Sequence, residues 1–68
     1  MKTFIVGHID WFNHDLILER ISAINWQHAV AAHSKFPWTG TVPTTDPETF
    51  KQQCFDGDCM MDWIEVQP

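Results

Sequence analysis

Two apolar runs flank a short polar turn near the start of the chain, and that pattern limits the folds open to it more than any other feature. From Thr3 to Phe12 apolar residues occupy both parities, Phe4 and Val6 on one and Ile5, Ile9 and Trp11 on the other. Leu16 to Ala23 repeats the pattern, with Leu16 and Leu18 on one parity and Ile17 and Ile21 on the other. Length, β-branching and the intervening Asn13-His14-Asp15 predict two strands of a hairpin rather than pieces of a helix. The three-residue connection fits a hairpin with a longer loop, not a two-residue primed turn. Gly7 interrupts the first strand, where a glycine marks a bulge or a close backbone approach.

After the hairpin the period changes. Asn25 is a candidate N-cap, since its side-chain oxygen can accept from an orphaned amide of the first turn. Trp26, Ala29, Val30 and His33 follow at helical spacing around an alanine-rich run. This predicts a helix over 26–35, stopped by Phe36-Pro37 because the residue before a proline is pushed out of the α region. Residues 36–46 then form a loop, long for so small a domain, in which Trp38 and Val42 are either cover for the core or exposed anchors. Thr45-Asp46-Pro47-Glu48 opens a second helix, through a Thr-x-x-Glu capping box or through Asp46 as cap with Pro47 at the first helical position. Phe50 and Cys54 form its buried stripe, and Asp56-Gly57 ends it, with Gly57 suited to a left-handed position. Cys59 to Val66 is a third strand, apolar again on both parities: Met60, Ile64 and Val66 against Met61 and Trp63.

The predicted order is therefore β-β-α-α-β: an α+β domain over 1–68, with a small, three-stranded, mainly antiparallel sheet and two short helices on one face. The strand order stays open. A chain of 68 residues buries only about 60% of its unfolded surface and keeps about 3–5 kcal/mol of net stability. All three strands are apolar on both sides, yet two short helices cover only one. The second face calls for a homodimer, a partner, or wrapping by the 36–46 loop.

Charge narrows the function. The net charge is −5, and residues 1–43 contribute nothing to it, because Lys2, Arg20 and Lys35 offset Asp10, Asp15 and Glu19. The excess lies in Asp46, Glu48, Asp56, Asp58, Asp62 and Glu65, against Lys51 alone. A field of that sign repels nucleic acid and anionic membrane and favours a basic protein surface. No apolar run reaches the roughly 18 residues of a membrane span, and two cysteines are too few for a disulfide scaffold. The expectation is a soluble protein of a reducing cytoplasm, with no leader segment.

Chemistry finds little to work with. His28 and His33 are five apart and diverge by about 140° on a helix, the wrong spacing for one-face chelation. Cys54-x4-Cys59 lacks a second ligand pair at zinc-finger spacing, so two reduced, partly buried thiols are expected and no metal or other cofactor. A calcium loop counted from Asp56 meets Met61 and Gln67 where a glycine and a glutamate belong. Ser34 abuts His33, but neighbours on a helix do not face each other, and no nucleophile elbow, phosphate loop or dinucleotide fingerprint occurs. No catalytic residue is assigned and the chain is read as a non-enzyme. What remains is an acidic surface, Asp56, Asp58, Asp62 and Glu65, with Trp38 or Trp63 as anchor, complementary to a basic groove of another protein.

Met1-Lys2-Thr3-Phe4-Ile5-Val6 opening straight into a strand, the two short helices and the closing strand Met60 to Val66 together form a layout that resembles small phage-encoded accessory proteins. Such proteins bind and inhibit a host protein and are often acidic. The resemblance spans the whole chain and implies an inhibitor acting in the bacterial cytoplasm. Its targets would be bacterial defence, as for anti-CRISPR proteins, or host transcription or DNA repair. The alternative expectation is a homodimeric structural or regulatory subunit whose second sheet face forms a C2 interface.

Overall fold

The computed structural model describes residues 1–33 and 42–67. Its element order is β1 (Lys2–Asp10), β2 (Asp15–Ala23), α1 (Trp26–Ala32), α2 (Pro47–Asp56) and β3 (Cys59–Val66), the expected β-β-α-α-β order. The three strands form one antiparallel sheet in the order β2-β1-β3. β1 is central, so β2 and β3 run parallel to each other on opposite edges, and the two helices carry the chain across from one edge to the other.

The hairpin register runs unbroken from Lys2↔Ala23 to Asp10↔Asp15. Gly7 therefore marks no bulge but a close approach: a Cβ there would run into the end of the Leu18 side chain. Trp11 to His14 form the turn. Asp10 closes it by accepting from the backbone N–H of Phe12 (3.1 Å) and Asn13 (3.2 Å) and from the Asn13 side chain (2.8 Å). His14 adopts a φ of 58°, a left-handed conformation for which histidine is among the more tolerant residues.

One parity of each strand faces the helices. Phe4, Val6, Cys59 and Met61 meet Ala29 and Val30 of α1 and Phe50 and Cys54 of α2 in a single core. Trp26 stacks on Trp63, with ring centroids 4.6 Å apart and planes 5° from parallel, and Phe50 packs against both. Burying such broad rings is how a short chain gathers enough apolar contact to fold.

Both helix starts follow their sequence signals. Asn25 accepts from His28 N–H at 2.9 Å. Asp46, not Thr45, caps α2, accepting from the Thr49 amide (3.0 Å) and hydroxyl (2.6 Å) with Pro47 in the first turn. The helix ends depart from expectation. α1 stops at Ala32, three residues short of the predicted 35, because His33 turns to extended backbone (ψ 125°) with its ring held in the interior. The expected stop at Phe36-Pro37 and the anchor Trp38 lie outside the described residues. At the end of α2, Gly57 keeps φ at −93°, and Asp58 takes the left-handed position at φ 65°. Gly57 N–H is engaged by Cys54 and Gln53 carbonyls, which holds it in the last turn and moves the reversal one residue on, where aspartate tolerates it.

Candidate functional site

Among the described residues, no helix lies over the opposite parity of the sheet. Row by row across β2, β1 and β3 it carries Arg20, Ile5 and Ile64, then Leu18, Gly7 and Asp62, then Leu16, Ile9 and Met60. Leu18 is 68% exposed, and Leu16 and Ile64 are each 64% exposed. These side chains line a shallow apolar groove along β1. A lone exposed leucine is ordinary; a contiguous apolar sheet face is a candidate interaction surface. Among the described residues, its strand positions carry two charges, Arg20 and Asp62, one at each edge, with Lys51 of α2 reaching Asp62.

Under α1 lies a polar chain instead. His8 Nδ1 stands 2.7 Å from His33 Nε2, with the rings edge to face, and His33 Nδ1 is 2.5 Å from Glu19 Oε1. His33 is fully buried and His8 nearly so. With Glu19 ionised, the assignment that serves all three groups has the His33 Nδ1–H facing the carboxylate and His33 Nε2 accepting from His8 Nδ1–H. Burial, and then the neighbouring His33, push the His8 pKa below its ordinary value. A Glu-His-His chain has the parts of a proton relay; its two histidines are buried while Glu19 keeps a third of its side chain exposed, and it ties the end of α1 to β1 and β2. Histidine spacing along one helix does not reveal it, because its members come from β1, β2 and the end of α1. The signal was there in parity: His8 shares its side of β1 with Phe4 and Val6, and Glu19 shares its side of β2 with Ile17 and Ile21. A polar group on a buried parity requires a partner.

The thiols are core atoms. Cys54 and Cys59 are free and buried, and Cys59 Sγ donates to the Cys54 carbonyl at 3.4 Å. Burial, reinforced by Cys59, pushes the Cys54 thiol up to about 12, and burial raises Cys59 as well. Both are protonated at neutral pH, poor nucleophiles and poor ligands. Among the described residues no group of three or more histidine, cysteine or acidic side chains is placed to hold a metal ion. Among the same residues no helix is long and apolar enough to cross a membrane.

The four acidic residues singled out in the sequence do not gather into one patch. Asp62 lies on the β3 edge with Lys51 Nζ at 2.9 Å, which holds its carboxyl below the usual range. Glu65 is near the far end of β3, 3.7 Å from Lys2. Trp63 sits between them on the covered side, half-buried against Trp26 and beneath Lys51, so it packs rather than projects. Asp56 and Asp58 are at the α2–β3 junction, about 23 Å of strand from Glu65 at about 3.3 Å per residue. They join a different group. β1 ends beside that junction, with Asp10 opposite both Cys59 and Asp15, and Trp11 packs edge-on against Phe55 at 5.4 Å. Phe12 is 79% exposed and Phe55 52% exposed. Four carboxylates (Asp10, Asp15, Asp56, Asp58) and three aromatic rings thus lie on the two segments that meet at this end of the molecule. Neither contributing segment, 10–15 or 55–59, contains a lysine or arginine. Phe55 was legible as an outlier, since it falls off the Phe50–Cys54 stripe, but only the fold brings it to Trp11.

No known protein family, no curated protein and no solved structure matches this chain.

Proposed function

We propose that this protein is a non-enzymatic protein-binding module. It presents the acidic, aromatic end formed by the β1–β2 turn and the α2–β3 junction to a basic surface of another protein. The observation that carries the reading is the exposed ring set Trp11, Phe12 and Phe55 framed by Asp10, Asp15, Asp56 and Asp58. Solvent-exposed aromatics at a turn are costly to keep unless something buries them, and rings ringed by charge have the anatomy of a binding hot spot with a polar rim. The carboxylates steer the encounter while the rings supply the contact. A groove that ordinarily receives nucleic acid offers matching charge, in keeping with the resemblance to phage inhibitors of host defence, transcription or repair proteins, which act in the bacterial cytoplasm. No cofactor is required.

The test is capture from bacterial lysate followed by binding kinetics with the captured protein. Phe12→Ala with Phe55→Ala is expected to slow capture and speed release, by at least about tenfold in affinity. Asp56→Asn with Asp58→Asn is expected to act on the association rate, and the wild-type rate is expected to fall as salt rises. Binding that ignores both the rings and ionic strength would falsify this reading.

A further inference from the structure

We propose that the open sheet face binds a second copy of this chain, the two sheets packing face to face about a two-fold axis that runs along β1. This surface is separate from the acidic, aromatic end, so a dimer leaves that end free on each copy.

The occupant is argued from charge. Among the described residues, the strand positions of this face carry one cation, Arg20, and one anion, Asp62, so an acidic partner surface finds Arg20 alone at one edge and a basic one finds a single carboxylate already beside Lys51 at the other. They lie at opposite edges, Arg20 on β2 opposite Ile5 and Asp62 on β3 opposite Gly7, one row apart. A half-turn about an axis along β1 lays the β2 of one copy over the β3 of the other. It puts each Arg20 over Ile64 and one row, about 7 Å, from Asp62 of the other copy, across a gap of about 10 Å between sheets. Arginine spans that offset, and Asp62, 74% exposed beside Lys51, has room to accept from a second cation. The symmetry makes the pair twice. The other half-turn, across the strands, lays each edge over its own copy and separates the opposite charges.

Shape agrees with this. Gly7 leaves the centre of the face low, flanked by Leu16 and Leu18 on one side and Met60 and Ile64 on the other. In the proposed arrangement the β2 leucines of one copy face the β3 side of the other across that hollow. Three strands at about 4.8 Å spacing and about eight residues long give a flat projection of roughly 350 Å² per copy. That is a small interface, so the dimer is reversible and concentration-dependent. The net charge does not oppose it strongly, because the unbalanced carboxylates sit away from this face.

Analytical ultracentrifugation of the full chain from micromolar to millimolar concentration tests it. The wild type is expected to pass from monomer to dimer. Leu18→Glu is expected to raise the dissociation constant by at least about 100-fold, since the change enters the interface twice. Leu18 is already largely exposed, so unchanged circular dichroism and thermal unfolding in dilute solution establish that the variant folds. Arg20→Asp and Asp62→Arg are each expected to weaken the dimer about tenfold and, combined, to restore most of the loss. A monomer at every concentration overturns the proposal, as does a dimer indifferent to Leu18→Glu. A combined swap no tighter than the single reversals overturns the two-fold arrangement and with it the reason for choosing a second copy.

Discussion

The two faces of this sheet come from the same three strands and carry nearly the same amount of apolar side chain, yet they are used in opposite ways. On the covered face Val6 and Met61 are sealed beneath the helices, and His8 and His33 are enclosed with them, next to a half-buried Glu19. On the open face Leu16, Leu18 and Ile64 meet solvent. A monomer built for stability alone would bury leucine and expose histidine. This one does the reverse at both places. The covered face holds the fold together, and the open one leaves its apolar side chains to solvent.

The largest expected effect follows directly. Met61→Ala removes a fully enclosed side chain and is expected to cost about 2–5 kcal/mol, enough to leave a domain of this size substantially unfolded. Leu18→Ala on the other face, measured in dilute solution, is expected to fall within about 0.5 kcal/mol of the wild type. Urea unfolding of both variants checks the contrast. Equal losses would mean that the open face is part of the core.

Thiol chemistry reads the same boundary from the inside. With the Cys54 pKa pushed up to about 12 from 9, its thiolate fraction at pH 8 is roughly 1,000-fold below that of a free cysteine. Native protein is therefore expected to resist iodoacetamide and to label fully in denaturant, as followed by mass spectrometry. Rapid labelling without denaturant would show that the covered face opens.

The polar chain sets a smaller, pH-dependent effect. His8 is pushed below its ordinary value of 6.5, first by burial and then by His33, against the opposite pull of Asp10, Asp15 and Glu19. Above that value both the folded and the unfolded chain keep it neutral and stability is complete. As pH falls through 6.5 the unfolded chain takes up a proton that the folded chain resists, so stability declines until the folded pKa is reached. The carboxyls of Asp10, Asp46 and Asp62 also lie below their usual range, and their contribution is lost only further down, below about pH 4. His8→Asn keeps a donor near the Nδ1 position and is expected to flatten the upper step while leaving the lower one. Urea midpoints at a series of pH values separate the two.

How much of this was legible in the sequence depends on the range of the interaction. Strands and helix starts depend on neighbours a few residues apart, so the alternation in Phe4–Ile9 and the Asp46-Pro47 cap could be read directly, and so could the uncovered second face. The edge that β3 joins was not written locally, because parity is the same whichever strand it pairs with. The end of α1 was misplaced for a similar reason: His33 leaves the helix for partners 25 and 14 residues away. The end of α2 at Asp56-Gly57 was legible, but the left-handed residue is Asp58 and not Gly57, since that choice rests on which carbonyls the Gly57 amide reaches. The acidic residues were sorted by sequence position, whereas the fold splits them, giving Asp62 to the open face's edge and Asp56 and Asp58 to the aromatic end.

Gly7 offers the finest division between the two faces. It lies on the central strand, and an added Cβ would press on the end of the Leu18 side chain and approach the Ile17 carbonyl at 3.4 Å. The first of these neighbours is flexible and already in solvent, so it swings aside, and alanine loses less chain entropy on folding than glycine. Gly7→Ala is therefore expected to leave monomer stability within about 0.5 kcal/mol of the wild type by urea unfolding. The displaced Leu18 no longer lies in the hollow along β1, so the same substitution is expected to weaken self-association several-fold by sedimentation. A loss of stability above about 2 kcal/mol would place the need for glycine in the fold itself. A stable variant with weakened association would place it in the open face, where the contour matters only to what docks there.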